Sequence, residues 1–117
     1  MTDCLFCKIV SHELDAKIVY EDERVVAFRD INPKAPTHVL IIPKTHVATL
    51  DDLKEEHEAD VGHLFVAASK VAHAEGLSER GYRTVINCGA EAGQSVFHIH
   101  LHLLGGKPLG WPPFPRN

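Results

Sequence analysis

Ser95-Val96-Phe97-His98-Ile99-His100-Leu101-His102-Leu103-Leu104 decides how the chain is read. Histidine and aliphatic residues alternate here with period two, the period of a β-strand. A strand over this stretch puts His98, His100 and His102 on one face. Ile99, Leu101 and Leu103 then fall on the other, where they enter a core. Next-but-one residues on a strand stand about 6.5–7 Å apart, so the imidazoles form a row that one small ligand can span. No other side chain has an unperturbed pKa so near neutrality. A row of such groups is a device for nucleophilic attack, proton transfer or metal binding.

Working outward, Thr37-His38-Val39-Leu40-Ile41-Ile42 is a nearly continuous apolar run ended by Pro43, the composition of a buried central strand. Lys17-Ile18-Val19-Tyr20 and Arg24-Val25-Val26-Ala27-Phe28 read as a hairpin joined through Glu21-Asp22-Glu23. Tyr82 to Asn87 is a further strand, and the prolines of 30–36 make that stretch a loop. From about residue 57 to 75 the period changes to that of a helix. Val61, Leu64, Phe65, Ala68, Val71 and Ala72 form its stripe, and Gly76 stops it. Residues 4–13 read as a short helix with Asp3 as N-cap. His57, His63 and His73 read as solvated residues of the long helix. The glycines of 89–94 permit positive φ and close backbone approach to a ligand. The tail, 105–117, is too rich in glycine and proline for regular structure, and its Trp111 and Phe114 pack on their own domain or cover a partner subunit. Five strands with one main helix and a short N-terminal helix predict a single α+β domain, 1–117, built on an antiparallel sheet.

A formal charge of −4 and a pI near 6.1 oppose the surface that a nucleic acid polymer or an anionic membrane requires, while leaving room for one nucleotide in a pocket. No apolar run approaches the ~20 residues of a spanning helix, and the N-terminus lacks the features of a signal peptide. A cytoplasmic protein is expected. Three cysteines, an odd number, make no disulfide framework. Cys4-Leu5-Phe6-Cys7 in a reducing compartment points instead to metal or redox chemistry.

A neutral imidazole can attack phosphorus, giving a covalent intermediate that water resolves. The attacking nitrogen must carry no proton, so its partner nitrogen should donate to a fixed acceptor. A neighbouring histidine in protonated form would stabilise phosphate oxygens and donate to the leaving group. Ser95 and the backbone amides near Gly93 and Gln94 are further candidate donors. His38 is either a fourth member of the cluster or a satisfied core histidine. Cys4 and Cys7 are half of a zinc site; with His46 and His98 they make a four-ligand, structural site that pins the N-terminal segment to the sheet. A catalytic metal on the row itself is less suitable, because a tetrahedral ion needs convergent ligands.

His98-Ile99-His100-Leu101-His102-Leu103-Leu104 resembles the signature of the histidine-triad (HIT) family. Phe28-Arg29-Asp30-Ile31, Ala35-Pro36-Thr37-His38, Ile42-Pro43-Lys44-Thr45-His46, Asn87 and Gly93-Gln94-Ser95-Val96 are similar to its nucleotide-binding branch, related to protein kinase C inhibitor-like proteins. So is the ending Leu104-Gly105-Gly106 with Gly110-Trp111-Pro112-Pro113. The resemblance covers essentially the whole chain. It implies a HIT-like fold and a homodimer in which two five-stranded sheets join into one of ten strands. The implied activity is that of a purine nucleoside phosphoramidase, cleaving the P–N bond of AMP linked to an amine.

By the same resemblance His100 is the nucleophile, and the backbone carbonyl of His98 accepts from its other nitrogen. His102 and Ser95 serve the phosphate and proton delivery, and His38 supports the cluster. Asp30 binds the ribose, Phe28 and Ile31 line the purine pocket, and Asn87, Gly93 and Gln94 hold the phosphate side. Trp111 reaches toward the partner's active site, placing the tail at the dimer interface. Cys4 and Cys7 are absent from some members of this branch. They resemble the pair of zinc-carrying microbial members, whose histidine ligands match His46 and His98. Zinc is then structural, and the chemistry requires no cofactor. The alternatives are a dinucleoside polyphosphate hydrolase, a nucleotidyl transferase of the same family, or a nucleotide-binding interaction protein.

Overall fold

The computed structural model describes residues 3–115; Arg116 and Asn117 of the tail lie outside the described residues. In chain order the elements are α1 (Leu5–Val10), β1 (Ile18–Glu21), β2 (Val25–Arg29), β3 (Thr37–Pro43), α2 (Glu58–Ala74), β4 (Tyr82–Val85) and β5 (Leu101–Gly105). The strands form one sheet in the order β1-β2-β3-β5-β4, with every neighbouring pair antiparallel. This is the expected α+β architecture. β2 and β3 lie inside the sheet with both faces covered, which is why they read as unbroken apolar runs rather than alternating ones.

The two faces have separate cores. Val25, Ala27, Val39, Ile41, Leu101 and Leu103 pack with Leu64, Ala68, Val71 and Ala72 of α2. On the opposite face Val26, Phe28, Leu40 and Ile42 pack with Phe6 and Ile9 of α1. A six-residue helix is too short to hold itself together in water, so α1 depends on this packing and on the groups at its N-terminus. Its N-cap is Cys4, whose sulfur accepts from the amide of Cys7 at 3.3 Å, in place of the expected Asp3. The Cys-x-x-Cys stretch is therefore the first turn of α1, with its sulfurs gathered on one side.

The histidine strand is shorter than its alternation predicts. Pairing begins at Leu101, opposite Ile41, and Ser95–His100 approach it without a ladder. Pro43 explains this, because it ends β3 and has no N–H to offer a partner. Two substitute bonds continue the contact. The His98 ring donates from Nε2 to the Pro43 carbonyl at 2.8 Å, and the Ile99 amide donates to the Val47 carbonyl at 2.8 Å. The alternation itself survives, with Ile99 in the α2-side core and His98 and His100 against Phe6 on the α1 side. Where β5 ends, glycine is required by contact. A Cβ at Gly105 would stand 2.9 Å from the Leu77 side chain, and one at Gly106, where φ is +96°, would stand 2.8 Å from Pro36.

The β1–β2 turn is fastened to α2 by Asp22. Its carboxylate accepts from the amides of Arg24 and Val25, from Tyr20 Oη at 2.7 Å and from His63 Nε2 at 2.7 Å. His63, expected to be a solvated residue, is thus a tie between helix and hairpin. Burial opposes ionisation of Asp22, but the bonds from His63, Tyr20 and the two amides outweigh it and hold the carboxyl well below the usual carboxylate range. Asp22→Ala is expected to cost about 1–3 kcal/mol of stability at neutral pH. Because the folded-state pKa is depressed, this contribution is complete above the unfolded value of about 3.9 and fades as pH falls from there. Urea midpoints of parent and variant, measured at neutral pH and at pH 3, check both statements. No helix among the described residues is long and apolar enough to cross a membrane.

Candidate active site and metal cluster

Four donors converge where α1 meets the chain before β5. Cys4 Sγ lies 3.4 Å from His98 Nδ1, Cys7 Sγ 3.3 Å from His46 Nδ1 and 3.6 Å from His98 Nδ1, and the two Nδ1 atoms are 3.2 Å apart. Ligand atoms around one tetrahedral zinc, with bonds of about 2.3 Å to sulfur and 2.0–2.1 Å to nitrogen, stand about 3.3–3.8 Å apart. The cluster matches that spacing, and its members are the expected Cys4, Cys7, His46 and His98. The His98 bond to Pro43 places the ring proton on Nε2 and turns the Nδ1 lone pair toward the sulfurs. That is the outer-shell arrangement of a metal-bound histidine. Burial, then the hydrogen bond and charge of Cys4, push the Cys7 thiol up to about 11. His98 itself is fully buried, and burial pushes its pKa down to about 4.

The same residue serves the next one through its backbone. His100 Nδ1 donates to the His98 carbonyl at 2.8 Å, which leaves the His100 Nε2 lone pair free. Ring for the metal cluster, carbonyl for His100: the two duties of His98 use different atoms and do not compete.

A second chain of bonds assigns the proton of His102. The Lys34 amide donates to His38 Nδ1 at 3.0 Å, so the His38 proton sits on Nε2. His38 Nε2 donates to His102 Nδ1 at 2.9 Å, so His102 carries its proton on Nε2. Burial pushes His38 down and, with the nearby charges of His100 and His38, takes His102 down to about 4. At neutral pH both are neutral. Where the sequence suggests a protonated neighbour, burial here favours the neutral ring, and the donor it offers is His102 Nε2–H. Asp30 stands beside the chain, Oδ2 3.4 Å from His38 Nε2, and its Oδ1 accepts from the Asn32 amide.

His100 and His102 open onto a cavity of about 870 Å³. Its apolar lining includes the expected Phe28 and Ile31, and also Leu5, Phe6, Ala16, Leu40 and Val96. Its polar lining includes Asp30 and Ser95, joined by Asp15, Lys17 and Arg29. Leu5, Phe6 and the 15–17 segment were not among the residues expected here. Ile31 is 92% exposed, a hydrophobic side chain left at the rim with nothing upon it.

Asn87, Gly93, Gln94 and Trp111 do not line this cavity. Gly93 and Gln94 direct their amides to the carbonyls of Ala90 and Gly89, not outward. Asn87 lies against Gly93, whose added Cβ would meet Asn87 Nδ2 at 3.6 Å. Buried Gln94 acts as a staple. Its Oε1 accepts from the Gly89 amide at 2.8 Å, and its Nε2 donates to the carbonyls of Ala48 and Val96. Gln94→Ala leaves those groups without partners and is expected to cost about 2 kcal/mol. The check is a lowered urea midpoint together with faster hydrogen exchange at the Gly89 amide. Trp111 is 77% exposed and rests against Arg83, whose guanidinium lies 5.7 Å from the indole centre and also donates to the Gly110 carbonyl.

An antiparallel α+β fold that presents a free imidazole nitrogen, its tautomer set by a backbone carbonyl, beside a neutral imidazole donor defines a class of histidine-centred site. The HIT domain profile matches residues 11–109. The chain is 49% identical over 108 residues to the purine nucleoside phosphoramidase of Escherichia coli K12, covering 92% of this chain and 91% of that one. It is 52% identical over 111 residues to an uncharacterised HIT-like protein of Synechococcus elongatus, covering 95% and 96%. A HIT family hydrolase from Legionella pneumophila has a solved structure that superposes with a TM-score of 0.94 at 53% identity, covering 96% of this chain and all of that one. The chain belongs to the HIT family.

Proposed function

We propose that the protein is a purine nucleoside phosphoramidase, hydrolysing the P–N bond of AMP-amine conjugates through a nucleotidyl-histidine intermediate. The observation that carries this is the 2.8 Å bond from His100 Nδ1 to the His98 carbonyl, which frees Nε2 on the wall of the cavity. The E. coli relative bearing that activity's name supports it. Nε2 of His100 attacks phosphorus, the P–N bond breaks, and the departing amine nitrogen takes up a proton. His102 Nε2–H and the Ser95 hydroxyl are the donors on this wall. Water then cleaves the His100–phosphorus bond and returns its proton to the donor that served the amine, so that AMP leaves and both side chains are restored. Phe28, Ile31 and Leu40 suit a purine, and Asp30 suits the ribose hydroxyls.

Zinc held by Cys4, Cys7, His46 and His98 would be structural, since four protein donors leave no open position for substrate. Cysteines held as thiols, with no disulfide between them, fit a reducing compartment such as the cytoplasm. A second copy is the remaining partner. β4 is a free sheet edge beside the histidine strand, and pairing two five-stranded sheets there would give ten strands and direct a partner's Trp111 toward this site. Sedimentation of the full chain at micromolar concentration tests the dimer; a monomer ends that part.

Rapid quenching with a fluorogenic AMP-amine conjugate should trap AMP on His100, seen by mass spectrometry of the digest. Faster turnover of a diadenosine polyphosphate than of the conjugate would replace this assignment with a polyphosphate hydrolase. Turnover of neither would favour a binding protein.

A further inference from the structure

The two residues between the metal-cluster cysteines belong to the nucleotide cavity. Leu5 and Phe6 line it, while Cys4 and Cys7 on either side of them supply half of the donor set. Phe6 is buried and makes three edge-to-face ring contacts: Phe28 at 5.5 Å, His98 at 6.0 Å and His100 at 5.1 Å with the planes 89° apart. One ring therefore touches a cluster donor, the candidate nucleophile and a wall of the purine pocket. A second connection runs through His98, whose Nδ1 faces the sulfurs and whose carbonyl orients His100.

We propose that metal and nucleotide raise each other's affinity, with Phe6 as the positioning residue that links the two sites. The proposal rests on the reading of the cluster as a zinc site and of the cavity as a nucleotide site. Bridging Cys4 and Cys7 to His46 and His98 fixes the first turn of α1 against the sheet. That turn carries Leu5 and Phe6, so fixing it pre-forms the cavity wall and holds the His100 ring from its side. A nucleotide seated against Phe6 and Phe28 holds the same turn from the other side and keeps the cysteines near their histidines. Linkage makes the two effects equal, whichever ligand is added first.

The test is a pair of titrations on the full chain at neutral pH. AMP affinity is measured by calorimetry on zinc-loaded and chelator-stripped protein, and zinc affinity by competition with a chromophoric chelator with and without saturating AMP. Both ratios are expected to be about tenfold and to agree. Zinc binding with AMP affinity unchanged on stripping overturns the linkage and leaves the metal reading standing. A chain that takes up no zinc overturns both. Loss of far-ultraviolet circular dichroism on stripping also overturns the proposal, because the coupling would then pass through global unfolding and not through Phe6.

Phe6→Leu keeps an apolar group in place but removes the ring. In this variant zinc should still bind, and the AMP ratio should fall toward one; a ratio still near the parent's removes Phe6 from the link. If the variant fails to fold, the two parent titrations decide the linkage. Its assignment to Phe6 then passes to the His100 ring resonances, which should shift on zinc binding in the parent, an absence of shift being the overturning result.

Discussion

Replacing His100 by alanine is expected to lower kcat on an AMP-amine conjugate by at least about 10³-fold, while AMP binding weakens only a few-fold. The asymmetry follows from the geometry. The purine and ribose contacts proposed for Phe28, Ile31, Leu40 and Asp30 do not involve the imidazole, whereas among the described residues no other imidazole of the cavity wall has its acceptor nitrogen unengaged. His102 Nδ1 accepts from His38, and the His98 ring faces the metal cluster, so neither can take over. Stopped assays of parent and variant, with AMP binding measured separately, check the statement; a variant within tenfold of the parent in kcat would sink the covalent route. His102→Ala is expected to lose less, with the loss greatest for conjugates whose amine leaves poorly, because proton donation matters most there. The donor chain also sets an acid limit. Burial pushes the His102 pKa down to about 4, and protonating its Nδ1 removes the acceptor of the His38 bond. That arrangement is intact at neutral pH and is lost as pH falls through about 4.

Much of this site was legible in the alternating histidines, and the rest fails for identifiable reasons. Period-two patterning places His98, His100 and His102 on one side even though a ladder forms only from Leu101, because side-chain alternation needs extended backbone and not pairing. Alternation says nothing about ring direction. Only the acceptors contributed by Pro43 and His98, the Lys34 amide and the His38 ring make the three imidazoles unequal, and all of these come from backbone positions or from distant segments. Gly89–Gln94 illustrates the converse. A glycine-bearing loop before a reactive strand is the pattern of a phosphate cradle, but here its amides and the Gln94 side chain close the loop on itself. Leu5 and Phe6 carry no chemical signature of their own, whereas the cysteines that flank them do. The usable signal was the pair of bulky apolar residues between them on a helix too short to need both for its own burial.

Zinc removal is the second large effect. If the chain holds zinc at about a thousandfold over its dissociation constant, binding adds about 4 kcal/mol to stability. For a domain of this size that corresponds to a Tm shift on the order of 15 °C. Cysteine variants test it poorly, since Cys4 also caps α1. His46 is the better position: it is the exposed member of the four, and its ring packs edge-on against His98 of the same cluster. His46→Ala should therefore lose most of the bound zinc and melt on the order of 15 °C lower than the loaded parent. In excess chelator the two proteins should melt together, because the difference between them is the metal and not the side chain. A persistent gap in chelator would assign the effect to His46 packing. Equal melting without chelator, with the parent carrying only traces of zinc, would end the metal reading. The direction of any activity change then discriminates further. The His98 Nε2 bond to Pro43 does not draw on Nδ1 and is expected to outlast the metal. The carbonyl that orients His100 therefore stays roughly in place, and stripped protein should retain measurable turnover while losing thermal tolerance first.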